Sequence, residues 1–280
     1  MKNLFGIILL IAMLTSIAIC GFAEESIAID SVNFPDEGFR RAVQESQDLN
    51  GDMMVSVDER DGMLDLVGFE VHSVRGLELL PHIVILDLSD NPLETLDLST
   101  NPGLEYVSID YCAGLKEINL SNSTELEYLS AETCGLEKLD LRGCKNLSYL
   151  NVVESSIASI DVSNNPLLQQ LCVSDNGIVQ DYLDLSNNPN LEELDTTGNQ
   201  FGIIDISQCP KLVATVKTYT VSKDDDDVAW IYTGKDADGD LDTMLIIDRN
   251  TTLIAEGVPV YTPEMYSSLE EYADLIFPGF

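Results

Sequence analysis

The sequence predicts a β-rich solenoid of short coils with parallel strands, and three observations predict it. An apolar anchor recurs every 21 to 23 residues, at Ile83, Leu104, Leu126, Leu147, Leu168, Leu191 and Leu212, the period of a stacked repeat. Eight residues past each of the first six stands a small polar or thiol residue, at Asn91, Cys112, Cys134, Ser155, Asn176 and Asn199. A second apolar phrase then follows in every unit, from Leu96-Asp97-Leu98 to Ile204-Asp205-Ile206, and ends on a second column of Asn101, Ser123, Cys144, Asn165, Asn188 and Cys209. One coil therefore has two extended arms and two turns, with no room for a long helix.

The columns have a physical reason. A sharp turn leaves main-chain groups inside the coil without partners, and each unpaired buried group costs roughly 1–3 kcal/mol. A small polar side chain turned inward can supply the missing partner, and Asn, with both donor and acceptor, does so best.

Leu183-Asp184-Leu185-Ser186-Asn187-Asn188-Pro189 and its relatives at 96–102 and 160–166 resemble the secreted short-repeat leucine-rich repeat proteins of bacteria. The resemblance covers about half the chain and implies a leucine-rich repeat solenoid of about six to seven coils. A parallel β-solenoid of another family is the alternative fold. Fold does not fix function, so the ligand has to be argued from surface chemistry.

Taken in order, residues 1–23 read as a secretory signal peptide: Met1-Lys2-Asn3, an apolar run from Leu4 to Ile19, and small residues before a cut after Ala23. The run is short of the roughly 18–20 residues a membrane span needs. Lipidation at Cys20 ranks lower, because Ile19 stands where a lipoprotein signal carries Gly, Ala or Ser. Nothing after residue 23 reads as a membrane anchor, so the mature chain is expected to be released, extracellular or associated with a cell surface, without membrane insertion. A formal charge of −35 repels nucleic acid and anionic membranes. Cut after Ala23, the chain keeps Cys112, Cys134, Cys144, Cys172 and Cys209, an odd number without a Cys-x-x-Cys pair, which argues against a disulfide framework or a zinc site. Cys172 alternates with inward Leu171 and Val173 and is expected to face solvent.

Residues 24–82 are expected to form a helical amino-terminal cap with an acidic loop and an incomplete first coil. Phe34-Pro35-Asp36-Glu37 opens a helix, with Phe39, Ala42 and Val43 on one face. Residues 48–59 then follow the EF-hand spacing: Asp48, Asn50 and Asp52 side chains, the Met54 carbonyl, Ser56 and a bidentate Glu59. Calcium is the cofactor this implies, weakly bound and structural. The sixth loop place, ordinarily Gly because φ is positive there, holds Met53, at a cost of about 1 kcal/mol or more. An acidic turn without metal is the alternative. His72 and His82, the two histidines, read as surface or edge residues rather than ligands.

Residues 83–212 are the repeats proper. Strand alternation points Tyr106, Tyr128 and Tyr149 outward on neighbouring strands, with Tyr111, Asp110 and Glu132 beside them. Such a face suits a protein or a glycan, although stacked tyrosines also stabilise a sheet without binding anything. On the other arm Asp97, Asn119, Asp140, Asp161, Asp184 and Asp205 form one row, read as a solvated ladder. Residues 213–280 are expected to be a β-rich carboxyl-terminal cap, with strands at 213–221, 228–232 and 241–247, a hairpin tip at 236–242, and a helix from Thr262 toward Phe277.

The histidines are poorly placed for catalysis, no motif marks a Ser or Cys nucleophile, and the acids are too many to single out a pair. The sequence therefore favours a secreted, non-enzymatic module recognising an extracellular protein or glycan. The alternative is a calcium-stabilised structural component of a cell envelope or matrix.

Overall fold

The computed structural model describes residues 26–60, 62–217, 220–223, 228–232, 244–248 and 250–263. The signal peptide, the acidic runs at 224–227 and 236–242, and the expected terminal helix beyond Pro263 lie outside the described residues.

The short strand β1 (Ile27–Ala28) leads to α1 (Glu37–Gln47), and β2 (Met54–Val55) returns antiparallel to β1. Asp36 caps α1 by accepting the Phe39 N–H at 2.8 Å, which satisfies one of the donors a helix start leaves free. Phe39, Ala42 and Val43 are fully buried on one face, where α1 packs against β3 (Met63–Asp65).

From β3 onward the chain winds between two walls: β4 (Ile85–Asp87), β5 (Leu96–Asp97), β6 (Tyr106–Ser108), β7 (Ile118–Asn119), β8 (Tyr128–Ser130), β9 (Tyr149–Asn151), β10 (Gln170–Cys172), β11 (Val179–Asp184), β12 (Glu193–Asp195) and β13 (Gln200–Asp205). After α2 (Pro210–Lys217) come β14 (Thr220–Lys223), β15 (Val228–Tyr232), β16 (Met244–Asp248), β17 (Thr252–Ala255) and β18 (Val258–Tyr261). The front wall is one ten-stranded sheet in the order β14-β15-β16-β12-β10-β9-β8-β6-β4-β3. It is parallel from β3 to β16, and β15 and β14 add antiparallel at one edge. Among the described residues, the rear wall has strand pairing only at β5-β7 and in the sheet β11-β13-β17-β18. The protein is thus a mostly β solenoid with sparse helices.

Each anchor from Ile83 to Leu212 is buried, as are Leu86, Val107, Leu129, Leu150, Leu171 and Leu194 at the strand centres. One such buried side chain contributes about 1.5–3 kcal/mol over its exposed state, and the repeat lines them into one continuous core.

The first column forms the hydrogen bonds its chemistry allows. Asn199 donates through Nδ2 to the carbonyls of Val173 (2.8 Å) and Thr196 (3.1 Å), and its Oδ1 accepts the Ile178 N–H at 2.9 Å. Asn176 and Asn91 repeat the pattern. Cys112, Cys134 and Ser155 donate one bond each, to the carbonyls of Leu88, Ile109 and Ala131. Just before this column runs a left-handed one that the sequence did not announce: Glu70, Asp90, Tyr111, Thr133, Glu154, Asp175 and Gly198 all have φ between 52° and 68°. Only the last is Gly, the residue without a steric cost there.

The carboxyl-terminal side departs from expectation in one place. The strand expected at 213–221 is instead α2 up to Lys217, with β14 beginning at Thr220. Pro210 presets the first helical turn, and Leu212, Val213 and Val216 have the spacing of a helix face. The strand stacked on β12 is β16, in the register Glu193↔Met244, and the rear wall resumes likewise with Ile204↔Leu253. Cys172 also differs: it points outward but is half-buried between Asn151 and Asp195, its partners on the flanking strands. Burial pushes its thiol up to about 12.

Asn199→Ala should lower unfolding free energy by about 3 kcal/mol, since it strands the Thr196 carbonyl and the N–H groups of Asn176 and Ile178 at roughly 1–3 kcal/mol each with partial relaxation. Cys134→Ala, which removes one weak bond, should cost less than half of that. Denaturant melts of the two variants check the order.

Candidate functional site

Tyr106, Tyr128 and Tyr149 stand in register on β6, β8 and β9. Their rings stack nearly parallel, with centroids 4.0 Å apart at 9° for the first pair and 4.2 Å apart at 6° for the second. The spacing is imposed by the sheet, whose strands lie about 4.8 Å apart. The rings are half-buried, so each inner face is covered by the next ring and the edges and hydroxyls look outward. Burial, and then the nearness of Tyr128, pushes the Tyr106 and Tyr149 hydroxyls well above the usual phenol range. They stay neutral donors.

The rim beside the rings is ordered by carboxylates. Asp110 accepts the Ser130 hydroxyl at 2.6 Å and the Glu132 N–H at 2.8 Å through one oxygen, and the Ser108 hydroxyl at 3.3 Å through the other. Glu132 accepts Asn151 Nδ2 at 3.2 Å and the Tyr111 hydroxyl at 3.4 Å. Tyr111 occupies the left-handed column and is 55% exposed, so the turn rather than the strand carries it outward. All six residues expected on this face are therefore neighbours. Sequence reasoning missed a second acidic row at the starts of the strands, Glu105 and Glu127, each immediately before a tyrosine. The repeated Glu-Tyr pair was the available signal. Burial and then the Glu127 and Glu125 charges raise the Glu105 carboxyl, and burial raises that of Asp87.

The acidic loop between α1 and β3 is a second candidate. Asp48 accepts the N–H groups of Gly51 (2.8 Å), Asp52 (3.0 Å) and Met53 (3.0 Å). Asn50 accepts from Asp52, and Glu59 accepts the Asn50 N–H at 2.9 Å and the Ser56 hydroxyl at 2.6 Å. Carboxylate oxygens of Asp48, Asp52 and Glu59 lie within 4.8 Å of one another. The Ser56 hydroxyl holds the Glu59 carboxyl below its usual range. This all-oxygen set fits a hard divalent cation. Met53 has φ 65° and Gly51 φ 78°, so the left-handed place indeed falls on Met53. The Met54 carbonyl belongs to β2, which pairs with β1.

The rear row of acids has a local task. Asp97, Asp161, Asp184 and Asp205 each accept the N–H two residues on at 2.9 Å, and Asp140 accepts that of Arg142 at 3.1 Å. These are Asx turns that start the bend after each rear phrase. Hydrogen bonds from Ser99, Ser163 and Ser186 lower the carboxyls of Asp97, Asp161 and Asp184, and Arg142 brings Asp140 to about 2. The histidines are apart: His72 contacts the Glu70 carbonyl and His82 contacts Gln47.

No family model and no curated protein matches the chain. Among solved structures, the functional domain of InlJ from Listeria monocytogenes, which includes a cysteine ladder, is similar with a TM-score of 0.60 and 28% identity, over 68% of this chain and 42% of that one. The chain thus spans less than half the length of that structure. Internalin C2 from Listeria monocytogenes shares 21% identity at a TM-score of 0.44, over 69% of this chain and 96% of that one. The fold is a solenoid of the leucine-rich repeat kind. Among the described residues no helix is long and apolar enough to cross a membrane.

The two groups of carboxyls predict a stability maximum at mildly acidic pH. Asp87, Glu105, Glu193 and Asp248 have raised folded values, chiefly through burial, so stability rises as pH falls through them toward the unfolded value of about 4. Asp97, Asp140, Asp161 and Asp184 have lowered ones, so the stability they contribute is lost as pH falls from about 4 through their folded values. Thermal melts across this range should peak just above about pH 4; a monotonic rise up to neutrality would contradict the assignment. Separately, Met53→Gly should stabilise the acidic loop by about 1 kcal/mol by removing the left-handed penalty, read in the same melts.

Proposed function

We propose that the chain is a secreted, non-enzymatic leucine-rich repeat module that recognises an extracellular protein or glycan through the face bearing Tyr106, Tyr128 and Tyr149. The observation that carries this reading is the ordered rim. The rings are held by stacking and the carboxylates of Asp110 and Glu132 by hydrogen bonds before any partner arrives, and preorganisation lowers the entropy cost of binding. Likeness to the InlJ domain supports the solenoid scaffold on which this face is displayed. In this reading residues 1–23 direct secretion, residues 24–82 and 213–280 flank the coils at 83–212, and the released chain is extracellular or held at a cell surface.

A screen of the residue 24–280 protein against extracellular proteins and glycans tests the reading. A Tyr106→Ala, Tyr128→Ala, Tyr149→Ala triple variant should remain folded, be less stable by about 1–3 kcal/mol from two lost ring pairs, and lose its hits. Hits kept by the variant would remove the face from the function.

The acidic loop favours a second reading, a calcium-stabilised structural component. Asp48, Asn50, Asp52, Ser56 and Glu59 side chains with the Met54 carbonyl would hold one calcium ion, coupling α1 to the first coil. With a dissociation constant near 10⁻⁴ M, millimolar calcium adds about 1.4 kcal/mol, and Glu59→Gln should abolish that gain. Calcium-driven assembly of the chain would favour the structural role over recognition.

A further inference from the structure

The tyrosine face has a polarity that narrows what it can take. A sugar ring lies flat on the open face of an aromatic side chain, and a cation sits over the same negative face. Here those faces are consumed. Tyr128 is sandwiched between its neighbours. The outer faces of Tyr106 and Tyr149 adjoin Ile85 and Gln170, their partners on β4 and β10. What remains is a strip of ring edges and neutral hydroxyls.

Along the strands carboxylates precede and follow that strip: Glu105 and Glu127 come just before β6 and β8, and Asp110 and Glu132 just after them. Among the described residues the ion pairs of Lys116, Arg142 and Lys211 go to Glu137, Asp140 and Glu192 instead. Between residues 76 and 210 the chain has only Lys116, Lys138, Arg142 and Lys145. None of them is on β4, β6, β8, β9 or β10. Within the first row the charges act on one another, Glu127 and Glu125 adding to burial in raising the Glu105 carboxyl.

We propose that this face takes a lysine- or arginine-bearing segment of a protein partner, laid across β6, β8 and β9 with its aliphatic stems on the ring edges and its cationic ends on the two carboxylate rows. Long basic side chains are built for such a surface, since their stems cover apolar area while their ends stay polar. The two spacings between these three strands are about 10 Å, the reach of about three extended residues, which places alternate side chains against opposite rows. Relief of the mutual repulsion among the carboxylates adds to the attraction, and the same repulsion rejects acidic chains. The proposal rests on the reading of this face as a recognition surface.

The test is calorimetric titration of the residue 24–280 protein with a ten-residue alternating Arg-Ser peptide, beside an uncharged N-acetylglucosamine hexamer. Two charge-matched double variants separate the face from bulk charge: Glu105→Gln with Glu127→Gln on the front, and Asp161→Asn with Asp184→Asn on the rear, where Asn preserves the turn acceptor. The front pair should weaken the peptide about five- to tenfold and the rear pair less than about twofold, each exposed ion pair contributing modestly. Equal losses in the two variants would show that affinity follows net charge and would overturn the proposal. Hexamer binding that Tyr128→Ala abolishes, with peptide binding unchanged, would overturn it too while leaving the recognition reading standing. Binding of neither probe, with Tyr-dependent hits absent from the wider screen, would remove both.

Discussion

The inward column at Asn91, Cys112, Cys134, Ser155, Asn176 and Asn199 is the constraint on which the rest of the structure depends. Each turn from the front wall leaves carbonyls aimed at the core, and this column takes them. The bonds also cross between coils: Asn199 accepts from Ile178 and donates to Val173, so a coil is completed by its neighbour. That is the nearest-neighbour coupling of a quasi-one-dimensional fold. The left-handed residue before each column position belongs to the same turn. Its N–H still reaches the next coil, as from Asp90 to Asp110 and from Tyr111 to Glu132, at 2.8 Å. The conformational cost is carried because the bonds on both sides over-determine it.

Charge is divided by task along the coil. The rear acids are spent on the backbone, each closing an Asx turn, and their lowered titration marks a charge the fold stabilises. The front acids are different. Asp87 and Glu105 titrate high because strands and neighbouring carboxylates crowd them, a charge that the fold merely tolerates. A net charge of −35 is thus not one property. Part of it shapes turns, on the front as well as the rear, since Asp87 and Asp195 also accept the N–H two residues on, and part of it is crowded by burial on the front wall.

Much of this was legible in the sequence for a physical reason. A repeat must present the same environment in every coil, so anchors such as Leu126 and column residues such as Asn176 declare themselves by period alone. Tyr106, Tyr128 and Tyr149 could be placed outward and adjacent by the same token. What period could not convey was backbone conformation without a marker. The left-handed column holds Glu, Asp, Tyr and Thr at most of its positions, and only Gly198 has the residue type that signals it. Val213 to Val221 misled because its valines at 213 and 216 satisfy a helix as well as a strand, and Pro210 decides between them. The Glu-Tyr pairs were visible, but not that both N–H groups of each pair donate to a single carbonyl of the preceding coil, Val84 for Glu105-Tyr106 and Glu105 for Glu127-Tyr128.

One coincidence of position bears on how the tyrosines should be understood. Tyr106, Tyr128 and Tyr149 belong to the coils whose inner column is Cys112, Cys134 and Ser155, the three members that donate a single hydrogen bond apiece. The flanking coils carry Asn91 and Asn176, with several. Each ring pair contributes about 0.5–1.5 kcal/mol beyond its buried area, comparable to one hydrogen bond lost from the column. The outer stack therefore offsets an inner deficit in the same coils. Stabilising and recognising are not rival explanations of these side chains, because the stacking that secures the sheet is what turns their faces away from solvent. A face built this way meets its partner with edges, hydroxyls and the carboxylates around them, and the chemistry of those groups, rather than of the aromatic faces, sets what can bind.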